Sequence, residues 1–171
     1  MNCVVRSVSA FLAAGLLLLA GCPATLLDDY EPNDTIAEAS VLGTVAESPS
    51  VSSWTATISP KGDCDWYRFT APDPDSPCVP LTAERFTLTV RMVPPQAPEV
   101  QNYDLSLYNE AGTLLDSSTN PGADEELIVF TWDGVCGSSD SREFFVVVNG
   151  VGGAASASPY TLFADLEEAS R

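Results

Sequence analysis

Polar and apolar residues alternate one for one through much of this chain. A period of two is the mark of β-strands with one covered face, and it rules out helices as the main element. The clearest run is Arg85–Met92, where Phe86, Leu88, Val90 and Met92 fall on one face and Arg85, Thr87, Thr89 and Arg91 on the other. Tyr103–Tyr108 alternates likewise and meets Asn109-Glu110-Ala111-Gly112. Gly112 suits the positive φ of a hairpin turn, with Thr113–Ser117 as the return strand. Glu126–Trp132 and Glu143–Asn149 read as two more strands. The unbroken apolar run Phe144–Val148 predicts a central strand covered on both faces. Trp54–Ile58, Trp66–Ala71 and Tyr160–Leu166 bring the total to about eight. Gly150–Pro159 is a glycine- and serine-rich turn, and the one helical hint is Asp34–Ala39. The pattern predicts an all-β sandwich or barrel. A chain of 171 residues is long enough for one such domain and too short for two.

Charge narrows the function. Acidic residues number 24 and basic residues 7, for a net charge of −17. All the acids and six of the bases follow residue 21, which leaves −18 on that part of the chain. Such a surface repels nucleic acid and anionic membranes and attracts cations. There is no histidine. Serine–histidine and cysteine–histidine catalysis are therefore excluded. With no CxxC pair, a zinc site has no basis.

Residues 1–21 have the three parts of an export signal: Arg6, an apolar stretch from Ala10 to Ala20, and small residues before a cysteine. The apolar stretch is shorter than the roughly 20 residues a membrane-spanning helix needs. Leu19-Ala20-Gly21-Cys22 resembles the bacterial lipobox. That resemblance implies a signal peptide over 1–21 and a mature chain that begins at an acylated Cys22. Several acyl chains hold a protein to a membrane stably. Residues 22–30 then form a tether, and the domain occupies 31–168. Pro23 stands where aspartate would signal inner-membrane retention, so an outer-membrane address is expected in a Gram-negative cell.

Carboxylates cluster in two places. Glu31, Asn33 and Asp34 put three oxygen-bearing side chains within four residues, and Asp63 and Asp65 lie two apart. Two readings are open: ligands for a hard cation such as Ca²⁺, or residues that cap turns.

Three segments in order resemble the bacterial pre-peptidase C-terminal domain, a family related to the collagen-binding domains of clostridial collagenases. They are Tyr30-Glu31-Pro32-Asn33-Asp34-Thr35, then Gly62-Asp63-Cys64-Asp65-Trp66-Tyr67-Arg68-Phe69, then Tyr103–Tyr108 with Gly112–Leu115. Phe145–Val148 through Tyr160-Thr161-Leu162 extends the match to most of the mature chain. The resemblance implies a jelly-roll-like antiparallel β-sandwich. It also implies Ca²⁺ held by Glu31, Asn33, Asp34, Asp63 and Asp65. In that family the module is appended to secreted exoenzymes. No catalytic domain precedes it in this chain.

Cys64, Cys78 and Cys136 remain after the signal and lipid cysteines are set aside, an odd count for an oxidising compartment. With alternating strand directions, the loops carrying Cys78 and Cys136 emerge at the same end. A Cys78–Cys136 disulfide is therefore expected, with Cys64 free. The leading functional expectation is a non-catalytic, envelope-anchored module that binds an extracellular protein or polysaccharide. Trp54, Tyr108 and Trp132 are candidates for exposed contacts. The alternative is a structural envelope lipoprotein with no dissociable ligand beyond calcium. An enzyme using paired carboxylates is the remaining class.

Overall fold

The computed structural model describes residues 28–73, 83–96 and 100–170. The signal segment, Cys22, most of the tether and Cys78 lie outside these. In chain order the strands are β1 (Ser40–Thr44), β2 (Ala46–Glu47), β3 (Ser52–Ala56), β4 (Cys64–Ala71), β5 (Ala83–Val93), β6 (Tyr103–Asn109), β7 (Leu114–Ser118), β8 (Glu126–Val135), β9 (Arg142–Gly150) and β10 (Tyr160–Ser170). A single 3-10 turn, Ile36–Glu38, stands where the sequence hinted at helix.

The strands form two sheets. One has the order β1-β4-β9-β6-β7. The other has the order β2-β10-β5-β8, with β3 also on β10. Alternation in sequence becomes alternation in burial. Phe86, Leu88, Val90 and Met92 of β5 are fully buried, and the residues between them are not. β9 lies at the centre of its sheet. Its outward Val147 is only 2 % exposed, so both faces are covered, as the unbroken apolar run required.

Two features differ from expectation. There are ten strands rather than eight, and the sheets are mixed rather than wholly antiparallel. Both differences come from residues 40–47. This short segment runs parallel to β4 as β1, then parallel to the end of β10 as β2. It crosses from one sheet to the other at Val45, whose N–H bonds the Thr70 carbonyl and whose side chain is 2 % exposed. Edge strands this short and this exposed leave little apolar alternation to read.

The core between the sheets has two chemically distinct ends. Toward the β4–β5 and β8–β9 connections it is hydrocarbon: Phe144 packs against Phe69, Phe130 and Trp132 at ring separations of 6.2, 5.9 and 5.5 Å. Phe86 stacks on Trp132 at 5.2 Å. Toward the other end lie three buried tyrosines, Tyr67, Tyr103 and Tyr160. Phe144 is 1 % exposed and joins both sheets. Its truncation to alanine leaves a cavity that three fixed rings cannot fill. Phe144→Ala is expected to lower stability by about 3–5 kcal/mol, measured as a shift in the urea midpoint with an unchanged slope.

Candidate functional site

The site begins with a turn. Pro60-Lys61-Gly62-Asp63 is closed by a bond from the Asp63 N–H to the Pro60 carbonyl at 3.1 Å. Gly62 takes a φ of +92°, which side chains other than glycine rarely adopt. This fixes the Asp63 carboxylate just ahead of β4. It accepts the Ser59 N–H at 2.9 Å and the Cys64 N–H at 2.9 Å.

The N-terminal segment is strapped over this turn by several ties. The Trp66 N–H donates to the Asn33 carbonyl at 2.8 Å. Ser40 Oγ donates to the Tyr30 carbonyl at 2.5 Å. Asp28 accepts the Thr57 N–H at 2.7 Å and the Tyr30 N–H at 3.0 Å. The Tyr30 ring meets Tyr67 edge-on at 5.4 Å. At the far end of the strap, Thr35 and Glu38 close the 3-10 turn through a 2.8 Å side-chain bond. Ile36 reaches Gly112 of the β6–β7 hairpin, with its Cδ1 3.5 Å from where a β-carbon would stand.

These ties bring Glu31, Asp34 and Asp63 together: one carboxylate oxygen from each lies within 4.8 Å of the others. Glu31 is oriented by the Asn33 N–H at 3.0 Å. Asn33 itself is fully buried, and neither its Oδ1 nor its Nδ2 has a hydrogen-bond partner. It caps nothing, because the 3-10 turn begins at Thr35 with no side-chain cap. The turn-capping alternative therefore fails for Asn33. It holds for Asp63, which satisfies turn amides while facing the other two acids. A buried amide with both ends unsatisfied is costly, and so are three adjacent carboxylates.

Asp65, the fifth residue of the expected set, is not in this group. Asp63 lies in the turn before the strand, so the two-residue spacing does not place both on one face. Asp65 follows the inward parity of Tyr67, Phe69 and Ala71 and is fully buried. Its Oδ2 accepts the Tyr160 hydroxyl at 2.5 Å and the Tyr67 hydroxyl at 3.2 Å, and the two phenols are 2.6 Å apart. Its Oδ1 is buried without a partner. Asp28, Tyr67 and Tyr160 were not anticipated as part of the site. The tyrosines read as ordinary inward strand residues, and Tyr160 lies 95 positions from Asp65.

The electrostatics follow from this packing. Loss of solvent is the main force raising Asp63 to a pKa of about 7, aided by the Asp34 side chain and the Glu31 charge and opposed by the Ser59 N–H. Burial likewise lifts Asp65 to about 8, with the Asp63 and Asp28 charges adding and the Tyr160 and Tyr67 hydroxyls opposing. Glu31 is also raised, first by burial and then by Asp34 and Asp28.

Other expected residues are placed differently. Trp132 is a core residue, 6 % exposed. Tyr108 packs on Trp66 at 5.1 Å, and Trp54 stacks on Phe69 at 6.5 Å. Trp54 and Tyr108 are only half-buried, so each keeps part of its ring open to solvent. Cys64 is disulfide-bonded rather than free, and Cys136 is also disulfide-bonded. The Cys136 loop does emerge where β4 ends: Asp140 donates its N–H to Asp73 at 2.9 Å. Cys78 and the lipobox Cys22 lie outside the described residues.

No family model matches the chain, and neither does any curated protein. Solved structures resemble it only distantly. Aeromonas hydrophila PliG, a periplasmic lysozyme inhibitor of g-type lysozyme, is 12 % identical with a TM-score of 0.35, over 74 % of this chain and 96 % of that one. An arabinose-bound MgGH51 α-L-arabinofuranosidase is 13 % identical with a TM-score of 0.28, over 84 % of this chain and 26 % of that one. A structure of infectious bursal disease virus, Gt strain, is 14 % identical with a TM-score of 0.22, over 70 % of this chain and 36 % of that one. Scores this low assign no family.

The raised carboxyls give stability a definite pH dependence. Asp63 and Asp65 bind protons more tightly folded than unfolded, since an unfolded aspartate titrates near 3.8. Between those values the folded state holds more protons, so raising the pH favours unfolding. In chelator, stability is expected to fall as pH rises from about 4 to about 8, read from urea midpoints across that range. Asp65→Asn, which removes one of the two groups, is expected to flatten the slope.

Proposed function

We propose that this chain is a non-catalytic lipoprotein, held at the cell envelope through an acylated Cys22. Its β-sandwich is a calcium-stabilised binding or accessory module for an extracellular polymer or a partner protein. The observation that carries the calcium reading is the convergence of Glu31, Asp34 and Asp63 beside a buried, unpartnered Asn33. Three carboxylates and an amide oxygen are hard donors of the kind Ca²⁺ takes, and its irregular coordination tolerates a loop-built site. Glu31, Asn33, Asp34 and Asp63 would hold the ion, and Asp65 would support them from the core. A bound cation supplies positive charge where the fold has gathered only negative charge. It would thereby clamp the strap onto the β4 turn.

The non-catalytic part of the reading rests on the residue inventory. The chain has no histidine. Asp63 and Asp65 are engaged in turn and core hydrogen bonds. The binding part rests on surface character. Leu127, Val129 and Val135 of β8 stand more than two-fifths exposed on the outward face of an edge strand. Exposed apolar groups of this kind are what a partner surface covers. The envelope address rests on the lipobox, and mass spectrometry of the mature N-terminus tests it by looking for acylated Cys22.

Calcium at about 100 times its dissociation constant stabilises a folded protein by roughly 2.7 kcal/mol. The melting temperature is expected to rise by several degrees in millimolar calcium relative to chelator. Asp34→Asn with Asp63→Asn should remove most of that rise. Coincident curves in calcium and chelator would reject the calcium reading. A pull-down on insoluble collagen and on cell-wall polysaccharide tests the binding role separately.

A further inference from the structure

A second group of carboxylates lies at the opposite end of the sandwich, where β4 ends and β8 turns into β9. Glu84 is the first inward residue of β5, in step with Phe86, and is 3 % exposed. It has no hydrogen bond or ion pair among the described residues. Glu168 of β10 pairs with Phe86 across the sheet and faces the same side, and its Oε2 is fully buried without a partner. Asp140 reaches into the same corner. Its Oδ2 accepts the Val135 N–H at 2.8 Å and lies 2.6 Å from where a β-carbon on Gly134 would stand. Gly134 pairs with Glu84, so the absent side chain makes room for a carboxylate beside it. Asp73 completes the group, accepting the Asp140 N–H at 2.9 Å.

Arginines of the flanking strands are occupied elsewhere. Arg85 points outward and pairs with Asp133 at 3.0 Å. Arg142 lies over the Trp132 ring, 5.1 Å from its centroid. Burial and the charges of Glu168, Asp73 and Asp140 all push the Glu84 carboxyl upward, and no cation opposes them.

We infer that Glu84, Glu168, Asp140 and Asp73 form a second site for a hard divalent cation of the calcium class, distinct from the one at the strap. A buried carboxylate oxygen with no donor, as at Glu168 Oε2, is expensive, and an oxygen-seeking cation is a partner that would remove the cost. The two sites differ in readiness. Among the described residues, the strap group alone has three carboxylate oxygens within 4.8 Å of one another. The second group must draw its glutamates inward to enclose an ion, so it is the weaker site.

Calorimetric titration of the mature chain with calcium, after chelation, tests this. Two ions are expected, the second bound at least tenfold more weakly. Glu84→Gln with Glu168→Gln should remove the weaker ion and leave the tighter. Asp34→Asn with Asp63→Asn should do the reverse. In chelator, the Glu84→Gln, Glu168→Gln variant is expected to melt at or above the wild-type temperature, because it relieves repulsion. An unchanged ion count in that variant overturns the inference, as does a melting temperature below wild type in chelator. A single ion lost only on changing Asp34 and Asp63 also overturns it and leaves the strap reading intact. A single ion lost only on changing Glu84 and Glu168 upholds it and removes the strap reading.

Discussion

Negative charge buried faster than positive charge can balance it is the condition that organises this molecule. The chain has seven basic residues for 24 acidic ones. The described ion pairs use Arg68, Arg85 and Arg91, all on outward faces. Exposed pairs of this sort add little. The acids that the fold buries, Asp63, Asp65, Glu84 and Glu126, must be satisfied in other ways, and Glu126 takes the Asn120 N–H. Backbone amides serve Asp63 and phenols serve Asp65. For the remaining oxygens, a proton or a bound metal ion would supply the counter-charge. Acidity and the calcium proposed for the strap would therefore act in the same direction, since each removes repulsion that the folded state alone must bear.

The strap itself depends on a main-chain bond. The Asn33 carbonyl accepts from Trp66, on the strand that carries Asp65 and Tyr67. Backbone hydrogen bonds hold position to within a fraction of an ångström, whereas carboxylates at a surface do not. The bond therefore sets where Glu31 and Asp34 stand relative to Asp63. The Ile36 contact at Gly112 sets how far the strap extends over the sheet. Charge then decides how tightly it stays.

Most of the fold was legible because inward and outward residues alternate over long strands. Phe86 to Met92 and Leu105 to Leu107 point as their spacing requires. β1 and β2 were not legible, since they are short, exposed edges held by backbone pairing to β4 and β10. Glu31, Asp34 and Asp63 could be named from motif because each sits in a turn whose residues are local. Asp65 could not be placed. Its spacing from Asp63 suggested a shared face, but the strand begins between them, at Cys64. Its hydroxyl partner Tyr160 belongs to the last strand, a pairing that sequence spacing does not encode. Glu84 carried a signal that parity alone reveals: it extends the inward series of Phe86, Leu88 and Val90 by one acidic step.

The two ends of the core impose different chemistry on the acids they meet. At the tyrosine end, hydroxyls donate to Asp65, so a carboxylate there is partly solvated by the protein itself. At the phenylalanine end the neighbours of Glu84 are Phe86 and the Trp132 ring stacked on it, which offer no donor aimed at the oxygens. The Trp132 indole N–H is itself buried without an acceptor, so even this polar group does not reach the carboxylates. An apolar surround strengthens every charge interaction within it. A cation enclosed there would relieve the repulsion between Glu84 and its acidic neighbours. The obstacle to binding at that end is geometry, since among the described residues only the strap gathers three carboxylate oxygens within 4.8 Å. Calcium should therefore settle first where the strap has already gathered its ligands.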